Sequence, residues 1–184
     1  MKKLRDLIGK LDYKILAGEV DERKISALVY DSRKIEKNCL FVCIEGANFD
    51  GHTAAREAFE KGAAAVIAEK NIELEGCGQT TVVKVESTRY ALAFASAAWF
   101  DNPAEEMKII GITGTKGKTT TSFLTKAILE AAGHKVGLIG TIETIIGEEH
   151  IPAKNTTPES YILQETFRKM ADEGCDSVVM EVSS

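Results

Sequence analysis

Apolar and polar positions change period along this chain in short blocks. Leu4, Leu7, Ile8 and Leu11 recur at helical spacing and predict a short amphipathic helix over residues 2–11. Ile25 to Tyr30 predicts a strand, and the nearly all-apolar run Cys39 to Ile44 predicts a second. A polar loop from Glu45 to His52 follows. Residues 53–62 predict a helix with Ala54, Ala55, Ala58 and Phe59 inward, stopping near Gly62. Ala64 to Ala68 and Thr81 to Val85 predict two more strands, separated by a polar, Gly-containing loop. Residues 88–100 predict a helix rich in alanine and aromatics.

The pattern restarts after Asp101-Asn102-Pro103-Ala104-Glu105-Glu106, a polar stretch in which Pro103 disfavours a continuing helix. We place a domain boundary there: a first domain over 1–102, a linker over 103–106 and a second domain over 107–184. Met107 to Ile112 predicts a buried strand. A glycine-rich turn follows, and then Phe123, Leu124, Ala127, Ile128 and Ala131 recur at helical spacing up to Gly133. A strand over 135–140, an extended stretch over 141–146 with a turn at Gly147, a helix from Pro158 to about Asp172 and a strand from Asp176 complete the reading. Strands alternating with helices indicate an α/β fold: a small N-terminal domain and a P-loop-type central domain. The second segment is small for such a domain, and its last strand ends where a site is expected. The chain is therefore read as part of a longer protein.

Composition narrows the classes. The chain has 184 residues, of which 44% are hydrophobic and 28% charged, the profile of a globular protein. A net charge of −5 disfavours a nucleic-acid surface. No apolar run reaches the ~20 residues of a membrane span, and Met1 to Asp6 leads into no signal-like apolar stretch. A cytoplasmic location is the default. Cys39, Cys43, Cys77 and Cys175 form no CxxC pair and do not cluster with His52, His134 or His150, so zinc is not indicated. Cys39 and Cys43 fall on one strand face and read as buried thiols.

The candidate chemistry lies in Thr113-Gly114-Thr115-Lys116-Gly117-Lys118-Thr119-Thr120. Strand, glycine turn and helix in this order form a phosphate cradle. Gly114 and Gly117 permit a sharp turn close to an anion. The first N–H groups of the helix point at the phosphates with the helix dipole behind them. Lys118 reaches the β- and γ-phosphates, and the Thr119 hydroxyl suits Mg²⁺. The P-loop pattern wants Gly five residues before Gly117, where this chain has Ile112. Glu181, at the carboxyl end of the last strand, is placed to hold Mg²⁺ beside that loop. By chemistry alone, Thr156 and Thr157 read as helix caps, Ser32-Arg33 as a turn, Asp50-Gly51-His52 as a capped loop and His52 as a surface or capping residue.

Together these motifs resemble the Mur ligases of peptidoglycan synthesis, and within them the tripeptide synthetases of MurE type. The matching pieces are Asp31-Ser32-Arg33, Leu40-Phe41-Val42 with Gly46 and Asp50-Gly51-His52, Gly62 to Ala65, the loop 113–120, Asn155-Thr156-Thr157-Pro158, and Met180-Glu181-Val182-Ser183-Ser184. They span almost the whole chain. The resemblance implies ATP-dependent amide formation. ATP would phosphorylate the D-glutamyl carboxylate of UDP-N-acetylmuramoyl-L-alanyl-D-glutamate, and the amine of a diamino acid would displace the phosphate. It implies that Tyr30 (through its backbone), Ser32, Ala47, Asn48 and Phe49 meet the uridine diphosphate end. Gly114, Thr115, Lys116, Gly117, Lys118, Thr119 and Thr120 would hold ATP. Asn155, Thr156, Thr157 and Ser183 would touch the muramyl peptide, and Thr119 and Glu181 would hold Mg²⁺. Lys118 and Glu181 would serve catalysis. The diamino acid, meso-diaminopimelate or lysine, would bind outside this chain, and a monomer is expected. Two departures stand out. Lys116 occupies a position where the family usually has Asn, and the family's carbamylated lysine, histidine metal ligand and C-terminal domain lie beyond Ser184.

Two other classes remain at this point. One is a binding module that captures a UDP-sugar and ATP without catalysis. The other is a P-loop kinase or NTPase, which would leave the first hundred residues without a role.

Overall fold

The computed structural model describes residues 1–183. The chain divides into two compact units, Met1–Trp99 and a second that begins at Phe100.

The first unit opens with β1 (Lys2–Lys3), α1 (Leu4–Ile8) and β2 (Lys14–Ala17). Then come β3 (Lys24–Ile25), β4 (Leu28–Val29), β5 (Leu40–Val42), α2 (Ala55–Glu60), β6 (Ala65–Ala68), β7 (Thr81–Lys84) and α3 (Thr88–Trp99). Its main sheet runs β2-β7-β6-β5-β4, with β4 to β7 parallel and β2 antiparallel at the edge. Parallel strands need crossover helices, and those helices cover both faces. On one face α2 buries Ala55, Ala58 and Phe59 against Cys39, Phe41, Cys43, Val66 and Val82. On the other, α3 packs on β4 to β6 and against α1. This double burial is why Leu40–Val42 and Ala65–Ala68 read as continuous apolar runs rather than alternating ones. Cys39 and Cys43 are fully buried free thiols, as expected, and burial pushes the Cys43 pKa up to about 12.

Several boundaries differ from the sequence reading. The predicted helix over 2–11 is helical only from Leu4 to Ile8, because Lys2–Lys3 pair antiparallel with Lys24–Ile25. Leu4, Leu7, Ile8 and Leu11 are nevertheless its buried face. The predicted strand over 25–30 is two short strands, since Ile25 pairs with β1 and Leu28–Val29 with β5. The edge strand β2 is not signalled in the sequence: Lys14 to Ala17 is half exposed and carries a bulge.

The second unit contains β8 (Lys108–Ile112), α4 (Lys118–Ala131), β9 (Val136–Ile139), β10 (Glu143–Ile146), β11 (Glu149–Pro152), α5 (Ser160–Asp172) and β12 (Ser177–Glu181). The sheet order is β11-β10-β9-β12-β8. β8, β9 and β12 are parallel, whereas β10 is antiparallel to both of its neighbours. The chain crosses from β8 to β9 through α4 and later returns through α5 to insert β12 between them. α4 lays Phe123 and Leu129 against Leu138, Val179, Ile110 and Ile112. α5 buries Phe167 and Met170 against Ile139, Val178 and Met180. Gly137 lets α5 close in, because a Cβ there would lie 2.5 Å from the Met170 sulfur.

β8 is not the buried strand that its apolar run suggests. It is one of the two edge strands among the described residues, β11 being the other, with Lys108 and Gly111 exposed and Ile109 36% exposed. For the same reason Leu124 and Ile128 of α4 face outward, and of the predicted stripe only Phe123 packs on the sheet. Residues 103–105 form a 3-10 turn that packs on α5, and the adjacent Glu106 pairs with Arg168 at 2.6 Å. No helix among the described residues is long and apolar enough to cross a membrane.

The packing generates a stability prediction. Leu92 is fully buried on α3, so Leu92→Ala removes a core side chain that its neighbours only partly replace. It is expected to lower the unfolding free energy of the first unit by about 2–5 kcal/mol. Urea titration followed by fluorescence of the single tryptophan, Trp99 at the end of the same helix, measures this. An unchanged midpoint would contradict the packing.

Candidate functional site

The insertion of β12 between β8 and β9 aims three carboxyl ends at one place. Ile112 runs into the glycine turn, Ile139 into Gly140-Thr141, and β12 ends at Glu181. Ligands of parallel α/β sheets gather at such a point, where successive crossovers go to opposite faces.

The turn after β8 is built as its sequence requires. Gly114 (φ +148°) and Gly117 (φ +80°) take backbone conformations that side-chain-bearing residues rarely adopt, and Gly117 caps α4. The first bond of the helix ladder runs from the Thr121 N–H to the Gly117 carbonyl. The N–H groups of Lys118, Thr119 and Thr120 therefore precede the ladder at the positive end of a 14-residue helix. Lys118 folds back over the turn and donates from Nζ to the Gly114 carbonyl at 2.6 Å. Lys116 is exposed. The loop thus brings N–H donors and two cations to one surface, which is chemistry suited to phosphate.

Glu181 supplies the other sign. Its side chain is fully buried. Its Oε2 accepts from the Thr119 hydroxyl (3.1 Å) and the Thr141 hydroxyl (2.9 Å), and its Oε1 accepts from the Thr141 N–H (3.0 Å). None of the ion pairs among the described residues involves this carboxylate, and none of the donors it receives is charged. A buried carboxylate is costly without a cation. A hard divalent ion such as Mg²⁺ takes one or two carboxylates and otherwise oxygen from hydroxyls, water or phosphate. Glu181 with Thr119 fits that donor set, and no cluster of three or more His, Cys, Asp or Glu competes for a metal among the described residues.

Thr157 and Ser183 join the same end of β12. The Thr157 hydroxyl donates to the Glu181 carbonyl at 3.0 Å and accepts from the Ser183 N–H at 2.9 Å. The Thr156 hydroxyl lies 3.1 Å from that of Thr141. Neither threonine caps a helix: α5 starts later, at Ser160, with Glu159 accepting from the Ser160 N–H. The capping reading fails because both hydroxyls are engaged elsewhere, Thr157 by the end of β12 and Thr156 by Thr141 after β9. Asn155 precedes them on the same loop, and Ser184 lies outside the described residues.

In the first unit, β4 and β5 are parallel neighbours, so Tyr30 and Ser32 after β4 and Ala47, Asn48 and Phe49 after β5 leave the sheet at the same edge. Asp31 accepts from the Arg33 N–H and guanidinium, fixing a 3-10 turn over Ser32–Lys34. That guanidinium draws the Asp31 pKa down to about 2. The 45–50 loop closes through a Gly46 N–H to Phe49 carbonyl bond (2.9 Å) and leaves Phe49 53% exposed. Lys70 ties the loop's ends together, reaching Glu45 at 2.8 Å and Asp50 at 2.7 Å. His52 is buried rather than on the surface. Its Nε2 accepts from the Glu69 N–H at 3.1 Å, so its Nδ1 carries the proton and donates to Asp50 at 2.6 Å. It staples two loops and is not free to act as a base.

The Mur ligase family catalytic domain matches residues 24–109, and the Mur ligase middle domain matches residues 112–184. This chain belongs to the Mur ligase family. Two relatives named UDP-N-acetylmuramoyl-L-alanyl-D-glutamate--2,6-diaminopimelate ligase are similar along nearly its whole length. The Clostridium perfringens protein is 46% identical over 181 residues, which is 98% of this chain and 37% of the relative. The Clostridium botulinum protein is 47% identical over 179 residues, 97% of this chain and 37% of the relative. A solved structure of a ligase of that name covers 100% of this chain and 36% of its own, with a TM-score of 0.77 and 22% identity, and shares the fold. The chain thus spans little more than a third of the relatives it matches.

Within this Mur ligase chain, the structure brings Thr119, Glu181, Thr156, Thr157 and Ser183 into one hydrogen-bonded cluster. Thr141 and Gly140 belong to it and were not read from the sequence. Thr141 gives Glu181 two of its three hydrogen bonds, and a Cβ on Gly140 would lie 2.6 Å from Glu181 Oε1. The available signal was Gly140-Thr141 immediately after an apolar strand parallel to the one ending in Glu181.

The Asp50 staple generates a pH prediction. Lys70 first, then His52, holds the Asp50 carboxyl well below its ordinary value. A carboxyl depressed in the folded state contributes stability above the unfolded pKa of about 3.9, and loses it as pH falls toward the folded value. Asp50→Asn is expected to lower Tm at pH 7 and to flatten the decline of Tm below about pH 4. Thermal melts of both proteins between pH 7 and pH 3 measure this, and two parallel curves would refute the role of Asp50.

Proposed function

We propose that this chain is the UDP-substrate-binding and ATP-binding part of a ligase. That ligase would add a diamino acid, 2,6-diaminopimelate by analogy with the named relatives, to UDP-N-acetylmuramoyl-L-alanyl-D-glutamate. The observation that carries the reading is the fully buried Glu181 carboxylate, hydrogen-bonded to Thr119 of the glycine turn and without a charged partner among the described residues. The division into a substrate domain over 1–102 and a nucleotide domain over 107–184 is part of the same proposal.

In this reading, the N–H groups at the start of α4 and residues 114–120 grip the nucleotide phosphates. Lys118 exchanges the Gly114 carbonyl for a phosphate oxygen and neutralises charge on the group being transferred. Thr119 and Glu181 would hold Mg²⁺, which supplies charge neutralisation between the phosphates. Asn155, Thr156, Thr157 and Ser183 would orient the muramyl peptide so that its D-glutamyl carboxylate attacks the γ-phosphorus, breaking the bond to the β-phosphate and releasing ADP. The acyl phosphate would then accept the amine of the diamino acid, releasing phosphate. Ser32, the Tyr30 backbone and Ala47, Asn48 and Phe49 would hold the uridine diphosphate end, with exposed Phe49 offering a ring face to a base. Lys116 adds a second cation beside the phosphates.

Calorimetric titration with UDP-N-acetylmuramoyl-L-alanyl-D-glutamate, with and without Mg-ATP, tests this. Saturable binding that is lost in Ser32→Ala is expected. Mg-ATP binding without any binding of the UDP compound, in a folded sample, would overturn the substrate assignments in favour of a general P-loop nucleotide enzyme. Lys118→Ala removes a charged hydrogen bond worth about 1.5–3 kcal/mol, and should weaken ATP binding about 10- to 100-fold in the same assay. Unchanged affinity would contradict the role of Lys118.

A further inference from the structure

We infer that Thr141 is the positioning residue for the Glu181 carboxylate, and that it joins that carboxylate to the 155–157 loop through a directed chain of hydroxyls. The inference rests on the reading of Glu181 as a metal ligand. A carboxylate has about four acceptor directions. At Glu181, three are occupied: Thr141 N–H on Oε1 (3.0 Å), and the Thr141 and Thr119 hydroxyls on Oε2 (2.9 and 3.1 Å). Thr141 alone grips both oxygens, one with its backbone and one with its side chain, and so fixes the plane of the carboxylate. Its two bonds do not depend on Thr119.

The backbone half of the grip depends on Gly140. A Cβ there would sit 2.6 Å from Glu181 Oε1, so the close approach of Thr141 N–H to the carboxylate requires the neighbouring glycine. The side-chain half sets a direction. A hydroxyl has one proton to donate. Thr141 gives its proton to Glu181, so in its 3.1 Å contact with Thr156 it must accept. The chain therefore runs Thr156 to Thr141 to Glu181, from the proposed substrate loop to the proposed metal site. Thr157 anchors the same loop to the Glu181 carbonyl. Residues that orient a metal ligand this way typically change metal affinity about 10- to 100-fold when removed.

The test compares ATP affinity in EDTA with ATP affinity in Mg²⁺ for the wild-type chain, Thr141→Val and Thr141→Ser, by calorimetry. Thr141→Val keeps the N–H bond and loses both hydroxyl links. The Mg²⁺-dependent gain in affinity is expected to fall about tenfold in Thr141→Val, with affinity in EDTA unchanged within about twofold, and Thr141→Ser should restore the gain. A wild-type gain that Thr141→Val retains would overturn the role of Thr141 and leave the reading of Glu181 intact. A parallel loss in EDTA and Mg²⁺ that serine does not rescue would mark Thr141 as a fold residue and overturn the inference. A wild-type chain that binds ATP with no gain from Mg²⁺ would overturn the metal reading of Glu181 itself.

Discussion

Glu181 lies on the central strand of a three-strand parallel core, and the second unit is arranged around the cost of burying it. β12 reaches its place only because α4 and α5 cross to opposite faces of the sheet. That insertion carries the carboxylate to the convergence of the loops after β8 and β9. There its charge is met by hydroxyls and an N–H, none of them ionised. Neutral donors soften a buried charge without cancelling it, and the proposed metal role of Glu181 rests on that imbalance. Gly140 and Gly137 serve this arrangement from one strand, one admitting the carboxylate and the other admitting α5.

The first unit solves a different problem with related means. Its parallel strands also send their loops to one edge, but no buried charge sits there. The loops are held by short-range caps. Asp31 closes the turn around Ser32, and Asp50, Lys70 and His52 lock the base of the 45–50 loop while its tip stays exposed. A rigid base with an exposed tip suits a surface that receives a large polar ligand. The histidine that could pass for a catalytic base is consumed in that base, with both ring nitrogens engaged.

Some of this was legible in the residues. Gly114 and Gly117 announce a tight turn ahead of a helix because both take positive φ angles that side-chain-bearing residues rarely adopt, a local constraint that sequence records directly. Cys39 and Cys43 read correctly as buried thiols because period-2 spacing in an apolar run fixes their face. By contrast, Met107 to Ile112 looked like a buried strand, and among the described residues Lys108–Ile112 is an edge. Leu124 and Ile128 looked like packing positions and face outward. Apolar content records what a position tolerates, and strand order decides what actually covers it. Thr156 and Thr157 looked like caps, because local sequence cannot show that Thr141 and the end of β12 had already claimed their hydroxyls.

The sequence by itself determined the local chemistry: the glycine turn, the helix behind it, the acid at the end of the last strand and the Asp-based caps, each set by neighbours a few residues away. Only the tertiary structure decided which of these meet. Thr119 and Thr141 reach Glu181 across 62 and 40 residues. Such contacts are set by sheet order and crossover face, which depend on the packing of whole elements rather than on the identity of any residue between them.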